Sequence, residues 1–139
     1  MTIILDTGFI FALKAKHDKY HVRALEILPE IKKNENELII TNELVINEVL
    51  TLAVARSKAS VSFMNIMYEL IWGKENFFNI VQLIEEDYKN IYIVLKKYMS
   101  PNLLLSFVDA SLIFLYKKYN AKYLVSFDSQ FDNIVKKLC

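Results

Sequence analysis

The sequence predicts a three-layer α/β/α fold, in which helices cover both faces of a mostly parallel central sheet of about four to five strands. Segments with the pattern of strands alternate along the chain with segments with the pattern of helices, an order typical of parallel sheets. Two strand segments, Ile3-Ile4-Leu5 and Tyr123-Leu124-Val125, are short apolar runs without polar alternation. Strands of a parallel sheet have this composition because both of their faces are buried.

In the first half of the chain, a β-rich run over 2–5 predicts the first strand. Helical patterns follow over 7–14 and 17–28. Pro29 either kinks the second of these helices or starts a new one, because proline cannot donate the helix hydrogen bond. The run Leu-Ile-Ile-Thr predicts the second strand, over 37–41.

The second half of the chain continues the alternation of helices and strands. Gly73 ends one helical pattern, and Pro101 with Asn102 separates two others. The expected helices after the second strand span 42–56, 59–72, 85–98 and 106–119. The remaining expected strands span 77–83 and 122–126, and a further helical turn starts at Asp128.

Length and composition indicate one domain over 1–139. Apolar residues make up 54% of the chain, which is enough for one core. The formal net charge is only +1, so any contact with nucleic acid requires a local basic patch. No apolar run reaches about 18 residues and the apolar start lacks a basic leader, so we expect a cytoplasmic protein without a membrane span.

Glycine and cysteine usage narrows the possible chemistry. The only glycines are Gly8 and Gly73, whereas a phosphate-binding loop or a dinucleotide fingerprint needs several at fixed spacing. A conventional nucleoside triphosphatase or nicotinamide enzyme is therefore nearly excluded. Cys139 is the only cysteine, so a disulfide or a cysteine-ligated metal site within the chain is excluded as well.

Asp6 and Asp128 each follow a predicted strand. The functional crevice of an open α/β sheet lies at the carboxyl ends of its strands, so both carboxylates are expected there. Each could instead only cap the helical turn that follows it. Asp132 lies four residues after Asp128 and competes with it for the same role.

Asp109 and Glu48 lie within predicted helices. Asp109 stands three residues after Ser106, the spacing of a capping box, yet it also projects into an apolar arc of its helix. Glu48 projects between apolar residues in mid-helix, where no capping role exists. A carboxylate in such a position needs a partner, which is either a metal or a basic residue such as Arg56 or Lys58.

If these four carboxylates converge, they repel one another. At about 5 Å and an effective dielectric constant near 20, one pair costs roughly 3 kcal/mol. Such a cluster requires a cation, and ligation by oxygen atoms suits Mg²⁺ or Mn²⁺. One or two such ions polarise a phosphoryl group and activate water for attack on a phosphodiester.

Four stretches resemble the motifs of PIN-domain ribonucleases, and their order and spacing are similar to those of the VapC toxins of toxin–antitoxin systems. They are Ile3-Ile4-Leu5-Asp6-Thr7-Gly8, Asn47-Glu48-Val49, Ser106-Phe107-Val108-Asp109-Ala110-Ser111 and Val125-Ser126-Phe127-Asp128. The resemblance implies a metal-dependent endoribonuclease with four acids that are catalytic and hold Mg²⁺ or Mn²⁺. These acids are Asp6, Glu48, Asp109 and Asp128. It also implies that Thr7 and Ser126 support the site or position the phosphate of the substrate.

The chain departs from the family pattern in three places. Ser126 stands where threonine is usual, which preserves a hydroxyl group. Gly8 stands where serine or asparagine is common, which removes a polar contact. The chain ends soon after Phe131, so a final short strand is expected to be missing or truncated.

By the same resemblance, RNA is the expected substrate, an antitoxin protein the expected partner, and a homodimer the expected assembly. A catalytically silent binding module with the PIN fold is one alternative. A phosphoaspartate-type α/β domain is another, and it fits less well because it expects a second acid close to Asp6. A nuclease acting on DNA is a third, although the compact chain leaves little room for additional DNA-binding elements.

Basic and aromatic residues are candidates for contacts with RNA. The basic residues that could flank the acids are Lys14, Lys16, Arg56 and Lys58, and ordinary solvated side chains are the alternative. One exposed aromatic ring could stack on an unpaired base, but the sequence does not single it out. His17 and His21 are expected to share a helix face, although no third zinc ligand accompanies them.

Overall fold

The computed structural model describes all residues of the chain, 1–139. Its strands are β1 (Thr2–Leu5), β2 (Leu38–Asn42), β3 (Asn79–Val81), β4 (Tyr123–Val125) and β5 (Lys137–Leu138). Its helices are α1 (Thr7–Ala12), α2 (His21–Lys32), α3 (Glu43–Arg56), α4 (Val61–Ile71), α5 (Glu85–Tyr98) and α6 (Phe107–Lys118). A turn of 3₁₀ helix covers Ser129–Phe131. None of the helices combines the length and the apolar character that crossing a bilayer requires.

The strands form one parallel sheet with the order β3-β2-β1-β4-β5. β1 lies at its centre, where Ile4 pairs with Ile40 of β2 and with Leu124 of β4. All residues of β1 are buried. Because successive side chains of a strand point to opposite faces, both faces of the sheet are covered at this strand. The predicted α/β fold with a parallel sheet of four to five strands is confirmed.

The helices form two packed groups that are joined at α3. α1 contacts α2 and α3, and α3 contacts α4. α5 packs along α6, which in turn contacts β1, β2 and β4. α3 also contacts α6, so the two groups meet near the centre of the sheet. The α3–α6 contact therefore determines how the residues of one group are placed relative to those of the other.

The final strand, which was expected to be missing or truncated, is present in short form, because β5 is a pair of residues parallel to β4. Its carbonyl groups continue the ladder beyond β4, and the Ser126 N–H donates to the Leu138 carbonyl oxygen at 3.1 Å. The Lys137 ammonium lies 2.5 Å from the Asp132 carboxylate and donates to the Asp128 carbonyl oxygen at 3.1 Å. The short strand therefore holds the segment that carries Ser126 and Asp128.

The segment between α1 and α2 differs from the prediction. Residues 13–20 form turns, because the Asp18 carboxylate accepts the Tyr20 N–H at 2.8 Å and so offers the backbone an alternative to the helix. His17 therefore lies outside α2, and the expected histidine pair on one helix face is absent. Within α2 a single helix passes through Pro29, so no new helix starts there.

β3 is shorter than the predicted strand over 77–83. The reason lies at its end, where the Leu83 N–H donates to the Glu43 carboxylate of α3 at 3.0 Å instead of to a neighbouring strand. The same carboxylate oxygen accepts the Tyr88 hydroxyl at 3.0 Å. Glu43 therefore attaches the start of α5 to the start of α3.

A buried polar link connects α3 with α6. Asn42 caps α3 by accepting the N–H groups of Leu44 and Val45 at 2.9 and 3.2 Å. Its side-chain amide donates to the Ser111 hydroxyl of α6 at 3.0 Å, and that hydroxyl donates to the Val108 carbonyl oxygen at 2.6 Å. Asn42 and Ser111 are both fully buried. Removal of either partner leaves the other without its hydrogen bond, which is costly in a protein interior.

We expect Ser111→Ala to lower the free energy of unfolding by about 1–2 kcal/mol, because the buried Asn42 amide loses its acceptor. Urea denaturation followed by circular dichroism measures this change. Ser62→Ala is the matched control, since Ser62 is an exposed serine within α4, and its effect is expected to stay within about 0.5 kcal/mol. Equal effects of the two variants would show that the link does not stabilise the fold.

Candidate active site at the carboxyl ends of the central strands

A cleft of about 670 Å³ opens at the carboxyl ends of β1 and β4. Asp6 directly follows β1, and Asp128 lies three residues beyond β4. The acids that line the cleft are Asp6, Asp18, Glu48, Asp109 and Asp128. The structure therefore brings together all four acids that the sequence predicted for the site, and Asp18 joins them.

Asp6 lies at the base of the cleft and is only 7% exposed. One of its carboxylate oxygens accepts the Thr7 N–H at 2.7 Å, so Asp6 caps α1 as the alternative interpretation proposed. The other oxygen accepts the Ser126 hydroxyl at 2.6 Å. Capping thus occupies one oxygen of Asp6 and still leaves its carboxylate on the cleft wall.

Ser126 connects two of the acids. It is fully buried, and while its hydroxyl donates to Asp6, its oxygen accepts the Asp128 N–H at 3.0 Å. The Asp128 side chain then accepts the Gln130 N–H at 2.9 Å and caps the 3₁₀ turn. Asp132 does not line the cleft but pairs with Lys137, so it does not take the place of Asp128.

Asp109 enters the cleft from the first turn of α6. The predicted capping box is present, because Ser106 N–H donates to Asp109 Oδ2 at 3.1 Å and Asp109 N–H donates to Ser106 Oγ at 3.0 Å. Asp109 is half-buried and lines the cleft as well. A role as a helix cap and a place in the site are therefore compatible for this residue.

Glu48 differs from the prediction in its burial. Helical projection places it on a core-facing side of its helix, but in the structure the side chain is exposed to the cleft. The buried face of α3 is formed instead by Val45, Ile46, Val49 and Ala53. Glu48 takes part in none of the ion pairs of the molecule, so the alternative that Arg56 or Lys58 neutralises it is wrong.

Burial and mutual repulsion change the proton affinity of the acids. Burial raises the pKa of Asp6 from 3.8 to about 7, and the charges of Asp109 and Glu48 add to this increase, while the hydrogen bonds from Ser126 and Thr7 oppose it. Burial also raises the pKa of Asp109, and the charges of Asp128 and Glu48 add to the increase. The charges of neighbouring acids therefore raise the pKa values of Asp6 and Asp109, as expected for carboxylates that share a site.

Thr7 contributes a hydroxyl group that no protein atom satisfies. The residue is buried at the start of α1 and lines the cleft, yet its Oγ1 atom has no hydrogen-bond partner. A buried hydroxyl without a partner is unusual and costly. Gly8, the next residue, also lines the cleft and has open space where a side chain would begin.

Several residues of the cleft were not predicted from the sequence. Asp18, Lys19 and Tyr20 reach it from the turns that precede α2, and Phe127 reaches it from the segment after β4. Because the segment before α2 was expected to be helical, no sequence pattern predicted that these side chains line the site. Phe127 could have been predicted to reach the cleft, because it directly precedes Asp128 in the motif.

The basic residues are divided between two adjoining cavities. Arg56 and His17 line both the acidic cleft and a neighbouring cavity, and Lys14 and Lys16 line only the latter. Lys14 is also paired with Glu75 at 2.5 Å. Of the four basic residues that could flank the acids, Arg56 alone therefore reaches their cleft.

The fold is similar to that of several solved structures. VapC20 of Mycobacterium tuberculosis, a Sarcin-Ricin loop cleaving toxin, has a TM-score of 0.77 and 18% identity over 94% of this chain and 93% of that chain. VapBC2 from Rickettsia felis, bound to a DNA fragment from its promoter, has a TM-score of 0.62 and 18% identity over 99% and 98% of the two chains. FitAcB from Neisseria gonorrhoeae has a TM-score of 0.65 and 17% identity over 99% and 96% of the two chains.

Sequence comparison gives a second line of evidence. No curated protein sequence matches the chain significantly. The profile of the family described as PIN domain, however, matches residues 3–137. The resemblance seen in the four motifs is confirmed by this match, which spans nearly the whole chain and includes every acid of the predicted set. The chain belongs to the PIN domain family.

Proposed function

We propose that the chain is a metal-dependent endoribonuclease whose single domain spans 1–139 and whose catalytic centre is the acidic cleft. The observation that carries the proposal is the convergence of four carboxylates from four separate segments of the chain on one cleft. No ion pair of the molecule neutralises any of them. Acids that are held together in this way without basic partners favour a cation.

The donor groups fit Mg²⁺ or Mn²⁺. All of them are oxygen atoms, and the Thr7 hydroxyl is a further buried oxygen atom without a partner. No group of three or more acidic, histidine or cysteine side chains is arranged to hold a metal ion as it stands. Mg²⁺ keeps several of its waters and is commonly bound through one or two carboxylates together with substrate phosphates, so the four acids would hold it partly through those waters.

The side chains have distinct roles in this proposal. Asp6, Glu48, Asp109 and Asp128 would hold the ion, and Ser126 keeps the Asp6 and Asp128 segments together. When bound, Mg²⁺ or Mn²⁺ polarises a phosphoryl oxygen and makes a bound water more acidic. Thr7 Oγ1 is buried and has no hydrogen-bond partner, so its proposed role is to support the site from within, and Arg56, which lines the cleft, offers a positive charge to the backbone of the substrate.

We further propose that the protein is the toxin of a toxin–antitoxin pair. VapC20 is a Sarcin-Ricin loop cleaving toxin, and its fold resembles this one over nearly the whole chain. α4 and the residue that caps its end present exposed apolar side chains, among them Val61, Tyr68 and Trp72, which are suited to a protein partner. An antitoxin that covers the cleft and a second copy of the chain are the proposed partners.

We expect Asp109→Asn to abolish metal-dependent cleavage of RNA and to leave the fold intact. Loss of an outer-shell partner of a metal already costs about 10–100-fold in activity, so loss of a ligand is expected to cost at least about a hundredfold. The asparagine can still accept the Ser106 N–H, which preserves the cap. Cleavage of labelled single-stranded RNA by the purified protein with Mn²⁺, Mg²⁺ or EDTA measures the effect.

Glu86→Gln is the control for this experiment, because Glu86 is an exposed acid of α5 that lies outside the cleft and takes part in no ion pair. It is expected to cleave like the wild type. If the wild type does not cut RNA with either metal while it is folded, the silent binding module is the better description. If Asp109→Asn unfolds the protein, then Asp109 acts mainly as a helix cap.

The raised pKa of Asp6 predicts how the stability of the metal-free protein depends on pH. Its carboxyl has a pKa of about 7 in the folded chain and an ordinary value of 3.8. Below about pH 4 the group is neutral in the folded and the unfolded chain, so its contribution to stability is fully present. As the pH rises from about 4 to about 7, the unfolded chain loses the proton first, and the free energy of unfolding falls by up to about 4 kcal/mol.

Denaturation with urea in EDTA, at several pH values across this range, tests the prediction. Asp109 titrates in the same direction, so the difference between the wild type and Asp6→Asn isolates the contribution of Asp6. Asp6→Asn is expected to lose less stability as the pH rises. At neutral pH, Mg²⁺ or Mn²⁺ is expected to stabilise the wild type more than the variant. The same pH dependence in both proteins would contradict the assignment.

We expect Thr7→Val to reduce cleavage by about tenfold while the free energy of unfolding stays unchanged or increases. The buried hydroxyl has no partner in the protein, so its removal costs the fold no hydrogen bond. Thr41→Val is the control for stability, because Thr41 Oγ1 donates to the Leu5 carbonyl oxygen at 2.9 Å and its loss is expected to destabilise. Unchanged kcat and KM in Thr7→Val would mean that the hydroxyl contacts neither substrate nor metal.

A further inference from the structure

Two aromatic rings form a parallel stack on the wall of the acidic cleft. The centroids of the Tyr20 and Phe127 rings are 4.3 Å apart, and the ring planes differ by 6°. Both side chains line the cleft and both are half-buried. Phe127 directly precedes Asp128 in the chain, so the stack lies beside one of the acids of the proposed catalytic centre.

The stack is held rigidly from behind. Phe127 packs on its inner side against the fully buried Phe9, with the ring centroids 6.4 Å apart. The backbone of Tyr20 is fixed at both of its polar groups, because its N–H donates to Asp18 at 2.8 Å and its carbonyl accepts the Ala24 N–H at 2.8 Å. Tyr20 is therefore the outer ring of a supported stack, and its outer face is directed away from Phe127.

A charged side chain lies over the Tyr20 ring. The Lys19 ammonium lies 5.0 Å from the centre of the Tyr20 ring. Lys19 is exposed and takes part in none of the ion pairs of the molecule, so its flexible side chain can leave the ring at little cost. A flat group that enters the cleft can then take its place on the ring.

A second parallel stack in the molecule differs from this one in how its tyrosine is bound to the rest of the fold. Tyr88 stacks on Phe107 with ring planes 11° apart, but its hydroxyl donates to Glu43 and is occupied. The Tyr20 hydroxyl makes no such hydrogen bond, and Tyr20 lines the cleft together with the acids. Contacts within the fold therefore account for both the ring and the hydroxyl of Tyr88, whereas they account only for the ring of Tyr20.

We propose that Tyr20, supported by Phe127, is a stacking platform for an unpaired base of the nucleotide next to the phosphate that is cut. This inference rests on the proposed ribonuclease function and assigns a binding role to the Tyr20 ring. The base replaces the Lys19 ammonium on the ring, and the ammonium is then free to contact a neighbouring phosphate. Paired bases are already stacked within a duplex and cannot reach the ring, so a fully paired RNA is a poor substrate.

The experiment uses single-stranded RNA whose cleavage position has been mapped with the wild type and Mn²⁺. Tyr20→Leu removes the aromatic face and keeps an apolar side chain, whereas Tyr20→Phe keeps the ring. Tyr92→Leu is the matched control, because Tyr92 is an exposed tyrosine on α5 outside the cleft. Each protein is tested on the intact RNA, on the same RNA with one abasic ribose beside the cut, and on the corresponding duplex.

We expect Tyr20→Leu to raise KM about tenfold, with a smaller change in kcat, because the stack contributes to binding. Tyr20→Phe is expected to recover most of this loss, and Tyr92→Leu is expected to behave like the wild type. The abasic RNA is expected to be a correspondingly poorer substrate for the wild type but not for Tyr20→Leu. A 2-aminopurine base at the same position is expected to lose fluorescence on binding to the wild type and to retain it with Tyr20→Leu.

Failure of this inference differs from failure of the function on which it rests. If the wild type cuts RNA and folded Tyr20→Leu cuts it with the same KM, or if the abasic RNA is equally impaired with both proteins, the platform does not exist. Cleavage of the duplex as fast as of the single strand also overturns it. If the wild type cuts no RNA with either metal, the ribonuclease function fails and the platform fails with it.

Discussion

The hydrogen bond from Ser126 to Asp6 is the interaction on which the site depends. It joins the ends of the central strand β1 and its neighbour β4 at the edge of the sheet where the acids meet. The parallel pairing of these strands places Asp6 next to the segment that carries Asp128. Asn42 performs a comparable task on the other side, because its link to Ser111 fixes α3 against α6 and thereby relates Glu48 to Asp109.

The carboxylates combine two functions that the sequence presented as alternatives. Asp6, Asp109 and Asp128 each accept a backbone N–H at the start of a helical turn. Each acid therefore contributes to the fold through one bond and still faces the cleft. The same hydrogen bonds partly offset the burial and repulsion that raise the pKa values of Asp6 and Asp109. A fold of this kind tolerates a cluster of like charges because local bonds hold three of its four members in place.

Local patterns in the sequence were sufficient for the fold class and for the positions of the acids. Asp6 and Asp128 were found from the strands that precede them, and Asp109 from its projection into an apolar arc of its helix. The prediction that Glu48 is buried was wrong because its face of α3 is directed to the cleft. A helical projection cannot distinguish a face that lines a cleft from one that packs in the core. Tyr20 was missed because one Asp18 side chain replaces a helical turn. β5 was missed because a pair of residues carries no periodic signal.

The distance along the chain between the partners of the central hydrogen bond also affects how the protein becomes active. Asp6 and Ser126 are 120 residues apart, and the pairing of β1 with β4 closes a loop of similar length. Contacts of such high sequence separation form slowly and only when most of the chain is already organised. A chain in which β1 and β4 have not yet paired therefore has no assembled cleft. Assembly of the proposed catalytic centre depends on completion of the fold.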